Sequence, residues 1–191
     1  VSGWFTSVSE GAGRILAEAG AEESTDGTLS IERRLYADGR NICRANGCSE
    51  IVTYSFVSPS SIDKICLPKD APERDMLKIL NPLGEDTSVM RTTALPSMLD
   101  ILARNSANQN KATKLYEIAK IYLPQEGQTL PSEPKMLVLG TYGANEDFFS
   151  LKGELEAVFQ GLRLQKSSYC AVKDNPSYHP GRCAKVTIDG V

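Results

Sequence analysis

LYEIAKIYL, residues 115–123, and KMLVLGTY, residues 135–142, are two nearly continuous runs of apolar, β-branched and aromatic residues. Runs of this length and composition are typical of strands in the middle of a sheet, where both faces are covered. The segment between them, residues 124–134, is rich in proline, glycine and glutamine and predicts a hairpin connection at the surface. The two runs therefore predict a pair of central strands.

Three helices are predicted around this pair. Apolar residues recur at helical spacing over residues 31–46, which follow the N-cap residue Ser30 and stop at Gly47. A second apolar stripe begins after Pro96, a residue suited to the first turn of a helix. The longest stripe begins near Asp147 and ends at about residue 161.

Further strands are predicted at residues 49–57, 76–80, 88–93, 169–173 and 183–188, the second and third forming a hairpin. Strands in hairpin order with few helices between them favour an α+β fold, an antiparallel sheet flanked by helices, over a βαβ array. Residues 1–30 predict only a possible short helix near Ile15, and we assign them to a linker or to the end of a preceding domain. Residues 31–191 are expected to form the core module.

Composition limits the function. The 191 residues include 21 basic and 24 acidic side chains, a net charge of -3, which argues against a dedicated nucleic-acid binder. No apolar run approaches the roughly 20 residues of a membrane span, and no secretion signal is present, so a cytoplasmic protein is expected.

The chain starts with Val1 and stops at Val191 directly after a strand-like run. We expect a piece of a longer polypeptide, truncated at the C-terminus.

The sequence contains none of the common phosphate-loop, zinc-protease or hydrolase motifs. Arg91 is the first candidate for chemistry, since it lies on a strand that leads into a helix N-terminus, where anions can bind. The alternative is an ion pair with a neighbouring carboxylate, for which the loop containing Glu85 and Asp86 is a candidate partner. Both interpretations stay open.

His179 and Arg182 lie in the loop NPSYHPGR, residues 175–182, which two prolines stiffen. This loop can brace the fold or contact an anionic partner. The five cysteines have irregular spacing and predict reduced thiols rather than disulfides or a four-ligand zinc site.

Five stretches together carry a family resemblance: GCSEIVTYSFVSP (47–59), ILNPLGEDTSVMRTTALPSMLDILARN (79–105), KLYEIAKIYLP (114–124), DFFSLKGELEAVFQGL (147–162) and HPGRCAKV (179–186). In this order they resemble the beta chain of bacterial phenylalanyl-tRNA synthetases. The resemblance implies a class II synthetase-like fold in a catalytically inactive version. It also implies pairing with a catalytic alpha chain in an (αβ)2 tetramer, which charges phenylalanine tRNA using ATP and magnesium. Both cofactors would be bound mainly by the alpha chain, and none is expected on this chain.

The resemblance also implies roles for particular residues. A helix leading into a strand that ends at proline builds the subunit interface in this class, and residues 31–59 match that shape, which makes Ile31, Leu35, Ile42 and Pro59 interface candidates. The magnesium-binding stretch of the family corresponds to residues before 30, where Glu10 is the candidate ligand. Apart from the resemblance, the local placement of Arg91, His179 and Arg182 makes them the candidates for an anion or tRNA contact.

The expectation that this module is catalytically inactive rests on Glu117. Active members of the class place an arginine directly after an aromatic residue in the strand that faces ATP, and the resemblance puts Tyr116-Glu117 there. A carboxylate about 4 Å from a phosphate charge would repel it by about 4 kcal/mol at an effective dielectric constant of 20. We therefore expect no ATP binding of that kind.

Two other functions stay open. One is an autonomous ATP-dependent adenylating domain, against which Glu117 argues. The other is a free-standing RNA-binding module, with contacts from Arg91, Arg104, Lys111, Lys114 and Arg182. Nucleotide titration distinguishes the first, and salt-dependent RNA binding the second.

Overall fold

A computed structural model of the protein describes residues 3–8, 31–164 and 167–188. Its helices are α1 (Ile31–Ala45), α2 (Leu95–Ala107) and α3 (Phe148–Gly161). Its strands are β1 (Gly3–Val8), β2 (Ser49–Glu50), β3 (Phe56–Val57), β4 (Val89–Met90), β5 (Thr113–Lys120), β6 (Lys135–Tyr142), β7 (Ser167–Ala171) and β8 (Ala184–Ile188). Short 3-10 helices lie at Pro59–Ile65, Pro72–Arg74 and Glu85–Thr87. The predicted α+β class is confirmed.

The two apolar runs form the centre of the main sheet. β5 and β6 pair antiparallel along their whole length, with Thr113 opposite Tyr142 and Lys120 opposite Lys135. β1 pairs antiparallel with β6, whereas β2 pairs parallel with β5, so the order is β1-β6-β5-β2 and the sheet is mixed. β1 brings residues 3–8 into this sheet, although the sequence predicted no strand there.

α1 ends where the sequence predicts, and its end positions β2. Gly47 has a φ of 81°, in the region that glycine adopts without strain. Its N–H donates to the carbonyl of Arg44, and the N–H of Cys48 donates to the carbonyl of Cys43. These two bonds define a Schellman motif, which brings Cys43 and Cys48 together in the core. β2 begins at the next residue.

α1 and α3 cover one face of the main sheet. α3 begins with a capping box in which the N–H of Ser150 donates to Asp147 Oδ1 at 2.8 Å and the N–H of Asp147 donates to Ser150 Oγ at 2.9 Å. Buried side chains from the helices and strands form one cluster on this face: Cys43, Cys48, Tyr116, Leu139, Leu151, Leu155, Val158, Phe159 and Ile188.

α2 covers the opposite face. A Cβ atom on Gly140 of β6 would lie 2.8 Å from Leu102 Cδ1 and 3.0 Å from Met98 Cγ, so only glycine allows the helix to approach this closely. The second cluster contains Ala94, Met98, Leu102, Leu115, Ala119, Ile121, Met136, Val138 and Tyr142. Both faces of the central strands are therefore covered, as the apolar runs predicted.

The predicted strand at residues 49–57 is wrong as a single element. β2 belongs to the main sheet, whereas β3 pairs with β4 in a second sheet. Between them the N–H of Ile51 still donates to the carbonyl of Tyr116, but the N–H of Thr53 donates to the Glu117 side chain. A side-chain acceptor therefore replaces the strand ladder at this point.

The predicted hairpin of residues 76–80 and 88–93 is much reduced. The N–H of Ile79 donates to the carbonyl of Ser88 and the N–H of Met90 to the carbonyl of Leu77, yet only Val89–Met90 is a strand.

The strands predicted near the C-terminus are present as β7 and β8, which pair antiparallel. The possible helix near Ile15 lies outside the described residues. None of the described helices has the length and apolar character needed to cross a membrane.

Candidate functional site

A buried ion pair lies beside β5 at the junction of the two sheets. Nη1 of Arg91 is 3.1 Å from Oε1 of Glu117, and each side chain is 4% exposed. Nε of Arg91 donates to the carbonyl of Lys120 at 2.9 Å. The Arg91 backbone is also bonded on both sides. Its N–H donates to the carbonyl of Ser55, and its carbonyl accepts from the N–H of Tyr122. Arg91 therefore connects the two-stranded sheet of β3 and β4 to the main sheet.

Thr53 completes this arrangement, which we call the Arg91–Glu117 site. Its hydroxyl donates to Glu117 Oε2 at 2.8 Å and accepts from Arg91 Nη1 at 2.7 Å, while its N–H donates to Oε1 at 3.1 Å. Both carboxylate oxygens of Glu117 thus have donors. Buried charges persist when they are paired and hydrogen-bonded in this way.

The geometry decides between the two interpretations of Arg91. The residue is in an ion pair, and its partner is Glu117 rather than the loop carboxylates Glu85 and Asp86. The repulsion argument from Glu117 needs a correction for the same reason, since a carboxylate neutralised by a guanidinium does not act as a bare negative charge. The second aromatic residue of this region, Tyr122, is followed by Leu123, so neither aromatic residue precedes an arginine.

The covered sheet leaves no open face at β5 among the described residues. Leu115, Glu117 and Ala119 face the α2 side, and Tyr116 and Ile118 face the side of α1 and α3. A surface groove of about 390 Å³ lies elsewhere, between α1 and the end of α3. Within residues 31–164, helices therefore lie against both faces of β5.

An exposed apolar edge runs along the segment that joins the two sheets. Val52 is 88% exposed, Tyr54 84% and Phe56 48%, and these alternate positions lie on one side of the extended chain. The intervening residues point inward, as Thr53 does toward Glu117. Three large apolar side chains at consecutive outward positions are typical of a surface that another chain covers.

The predicted interface residues have different surroundings. Ile42 packs within its own chain, because a Cβ on Gly161 of α3 would lie 2.4 Å from its Cδ1. Leu35 is half-buried in the wall of the groove beside α3. Pro59 is exposed and opens a 3-10 helix, while the side chain of Ile31, the first residue of α1, is not among those described. Sequence reasoning missed the exposed edge because it treated residues 49–57 as an ordinary strand.

His179 and Arg182 are brought together in one hydrogen-bonded turn. Nδ1 of His179 accepts from the N–H of Gly181 at 3.1 Å, and the N–H of Arg182 donates to the His179 carbonyl. Tyr178 packs against the cluster of Ile62, Ile65 and Leu95, which fixes the loop to the body. Both candidate side chains remain exposed at the surface.

A second charged cluster lies under α3. Lys114 forms ion pairs with Glu154 and, at 3.3 Å, with Glu146, and Cys48 Sγ donates to Glu154 Oε2 at 3.1 Å. Burial raises the pKa of the Cys43 thiol to about 11, and burial together with Glu154 raises the pKa of Cys48. Both thiols are therefore protonated at neutral pH and poor metal ligands or nucleophiles.

Metal binding finds no support in this part of the chain. Among the described residues no three histidine, cysteine or acidic side chains come together as a candidate metal site. Glu10, the candidate magnesium ligand, lies outside them. Its role stays a prediction.

The fold defines the class to which the chain belongs. Two solved structures of pyrrolysyl-tRNA synthetase from Desulfitobacterium hafniense each superpose with a TM-score of 0.60, at 16% and 18% identity. The first superposition covers 83% of this chain and 54% of the other, and the second 74% and 50%. The main sheet and its helices are thus a class II aminoacyl-tRNA synthetase fold.

The sequence relatives narrow this class to one family. The family model described as the phenylalanyl tRNA synthetase beta chain CLM domain matches residues 17–191. The phenylalanine-tRNA ligase beta subunit of Clostridium acetobutylicum is 46% identical over 149 residues, and that of Symbiobacterium thermophilum 33% over 197. These alignments cover 78% and 95% of this chain but 19% and 21% of the relatives. The chain belongs to the phenylalanine-tRNA ligase beta-subunit family and spans about a fifth of those relatives' length.

Proposed function

We propose that this chain is a non-catalytic core module of a phenylalanine-tRNA ligase. In this proposal it supports the ATP-dependent charging of tRNA with phenylalanine by packing against the catalytic alpha chain in an (αβ)2 tetramer. The main support for the proposal is that both faces of β5 are covered. α2 packs on one face and α1 and α3 pack on the other, which leaves no room for ATP against this strand.

The Arg91–Glu117 site supports the same conclusion. Clamping a phosphate requires a guanidinium that is free to meet the negative charge as it develops. Nε of Arg91 is bonded to a backbone carbonyl and Nη1 to Thr53 and Glu117, inside the protein. The residues present do not fit an ATP site, so the proposal assigns ATP and magnesium mainly to the alpha chain.

The exposed edge is the surface that the proposal assigns to the alpha chain. A stable protein interface has an apolar centre, and Val52, Tyr54 and Phe56 supply one. Tyrosine is also among the residues that contribute most to binding energy at such centres. Ile42 is half-buried against α3 of its own chain and lines the groove with Leu35, so its role at an interface stays a prediction.

Co-purification of the complete beta subunit with its alpha chain tests this proposal. Tyr54→Asp and Val52→Asp place a charge on the edge without touching the core, and we expect each to weaken assembly by roughly 10- to 100-fold. Leu130→Asp is the matched control, since Leu130 is 77% exposed in the connection between β5 and β6. The proposal fails if both edge variants assemble as tightly as the control.

Phenylalanine tRNA is the second partner in the proposal. The turn of His179 and Arg182 supports such a contact, because it holds two exposed nitrogen-bearing side chains on a braced loop. Arg91 is a weaker candidate for a tRNA contact, because its side chain is only 4% exposed and is paired with Glu117. Filter binding of tRNA to the ligase with Arg182→Gln measures this contribution, and unchanged affinity would remove Arg182 from the contact.

A further inference from the structure

The end of α1 is followed by a dipeptide that is prone to chemical change, Asn46-Gly47. Asparagine is a heat-labile residue, because the backbone nitrogen of the next residue can attack its side-chain amide and release ammonia. Glycine in that next position has no side chain to hinder the attack. Asn46 is half-buried, Gly47 is exposed, and a Cβ atom on Gly47 would meet nothing within 4 Å. The surrounding protein therefore does not block this reaction sterically.

The way in which α1 ends requires the glycine of this dipeptide. Gly47 has a φ of 81°, a backbone conformation in which other residues are strained. Two backbone hydrogen bonds depend on that conformation. The N–H of Gly47 donates to the carbonyl of Arg44 at 3.0 Å, and the N–H of Cys48 donates to the carbonyl of Cys43 at 3.0 Å. We call these two bonds the α1 cap, which thus places glycine directly after Asn46.

The α1 cap also restrains the nitrogen that would react. The N–H of Gly47 points at the Arg44 carbonyl, so the nitrogen must leave this bond before it can reach Cγ of Asn46. The N–H of Asn46 donates to the carbonyl of Ile42 at 3.0 Å, which holds Asn46 itself in helical geometry. Helix ends open at a much smaller cost in free energy than the core of a protein. Any reaction at Asn46 therefore has to wait until the α1 cap opens.

We propose that Asn46 is a site of spontaneous deamidation and that opening of the α1 cap controls its rate. In the open state the nitrogen of Gly47 bonds to Cγ of Asn46, and the bond from Cγ to the side-chain nitrogen breaks. That nitrogen leaves as ammonia, with the proton that the Gly47 nitrogen gives up. Water then opens the cyclic imide at either carbonyl carbon, which yields aspartate or isoaspartate. Water is the only co-reactant, and nothing is oxidised or reduced.

Isoaspartate at this position changes the connection between α1 and β2. Its main chain runs through the former side chain and gains a methylene group, so the two bonds of the α1 cap can no longer form together. Cys48 follows directly, is 5% exposed, and donates from Sγ to Glu154 Oε2 at 3.1 Å. A longer main chain before Cys48 draws this thiol out of the core. The exposed edge at residues 52–56 is a different part of the chain, so this proposal and the proposed function can fail separately.

Peptide mass spectrometry of the complete ligase, incubated at mildly alkaline pH, tests the proposal. It measures the loss of Asn46, while chromatography separates the aspartate and isoaspartate peptides. The same incubation in urea gives the rate without the α1 cap. Cys43→Ala weakens the packing of Cys43 and Cys48 beside the α1 cap but keeps Asn46-Gly47 unchanged. Cys170→Ala, at an exposed cysteine on β7, is the matched control, and thermal unfolding checks that each variant is folded.

Asn46 in the folded ligase should react about 10-fold or more slowly than in urea, because the α1 cap is closed in most molecules. Cys43→Ala should raise the rate in the folded ligase about 3- to 10-fold and leave the rate in urea unchanged, with no change for Cys170→Ala. Ligase enriched in isoaspartate should label at Cys48 with a maleimide, and an unreactive Cys48 would overturn the change in the connection to β2.

Two further results would contradict the proposal. Equal rates in folded and urea-treated wild type, or in folded wild type and folded Cys43→Ala, would overturn control by the α1 cap. An Asn46 that stays intact in both folded proteins while the unfolded chain converts would overturn the modification site itself.

Discussion

Arg91 and Glu117 are separated by 26 positions in the sequence, yet Nη1 of the first lies 3.1 Å from Oε1 of the second, and both side chains are 4% exposed. Each of these residues, taken alone, suggests a functional charge. Together they neutralise each other at the junction of the two sheets, with Thr53 bonded to both. The pair is a structural joint between the two sheets, with Glu117 on β5 and Arg91 directly after β4.

Removing one partner of this pair should destabilise the fold strongly. Arg91→Met or Glu117→Leu leaves an unpaired buried charge, and we expect a loss of about 3–5 kcal/mol in the free energy of unfolding. The double replacement should cost clearly less than the sum of the two, because it leaves no charge behind. Urea unfolding of the four proteins gives the coupling energy, and strictly additive losses would show that the pair does not act as a unit.

Two glycines should respond to alanine in opposite directions. At Gly140 the new Cβ would meet Leu102 and Met98 of α2, so Gly140→Ala should destabilise by about 1–3 kcal/mol. At Gly153, inside α3, the Cβ would meet nothing within 4 Å, so Gly153→Ala should stabilise by up to about 1 kcal/mol through helix propensity. Thermal unfolding compares the two, and a Gly140→Ala protein as stable as wild type would contradict the close helix contact.

Stability should fall in alkaline solution through the Cys43 thiol. Its pKa rises from 9.0 to about 11 on folding because it is buried. A folded-state pKa above the unfolded value gives stability that is fully present below pH 9 and is lost as the pH rises toward 11. The loss from this group should reach about 2 kcal/mol at pH 11. Cys43→Ala should show a shallower fall over this pH range in denaturant titrations, and equal slopes would show that the thiol does not contribute.

The sequence was sufficient for the elements whose signals are local. The apolar runs located β5 and β6, the stop at Gly47 located the end of α1, and the apolar stripe placed the start of α3 near Asp147, which the structure shows to be its N-cap. β1 and the parallel placement of β2 depend on which strands meet in space, and no local pattern carries that information. The split of residues 49–57 has the same origin, because the acceptor that interrupts the ladder is a side chain of β5.

The ion pair was within reach of the sequence. Glu117 is the one acidic residue in the run LYEIAKIYL, and a carboxylate in a strand covered on both faces needs a buried cation. Arg91 lies in the similarly apolar stretch SVMRTTALP and was the natural partner.

The most direct test of the account is phenylalanine-dependent exchange of pyrophosphate into ATP by the complete ligase whose beta subunit carries Arg91→Met and Glu117→Leu together. A structural joint contributes nothing to the chemical step, so the assembled enzyme should exchange at the wild-type rate. If either residue held substrate or a developing charge, the rate should fall by about 100-fold or more. Such a fall, in a ligase whose two chains still co-purify in full, would contradict the assignment of this module as non-catalytic.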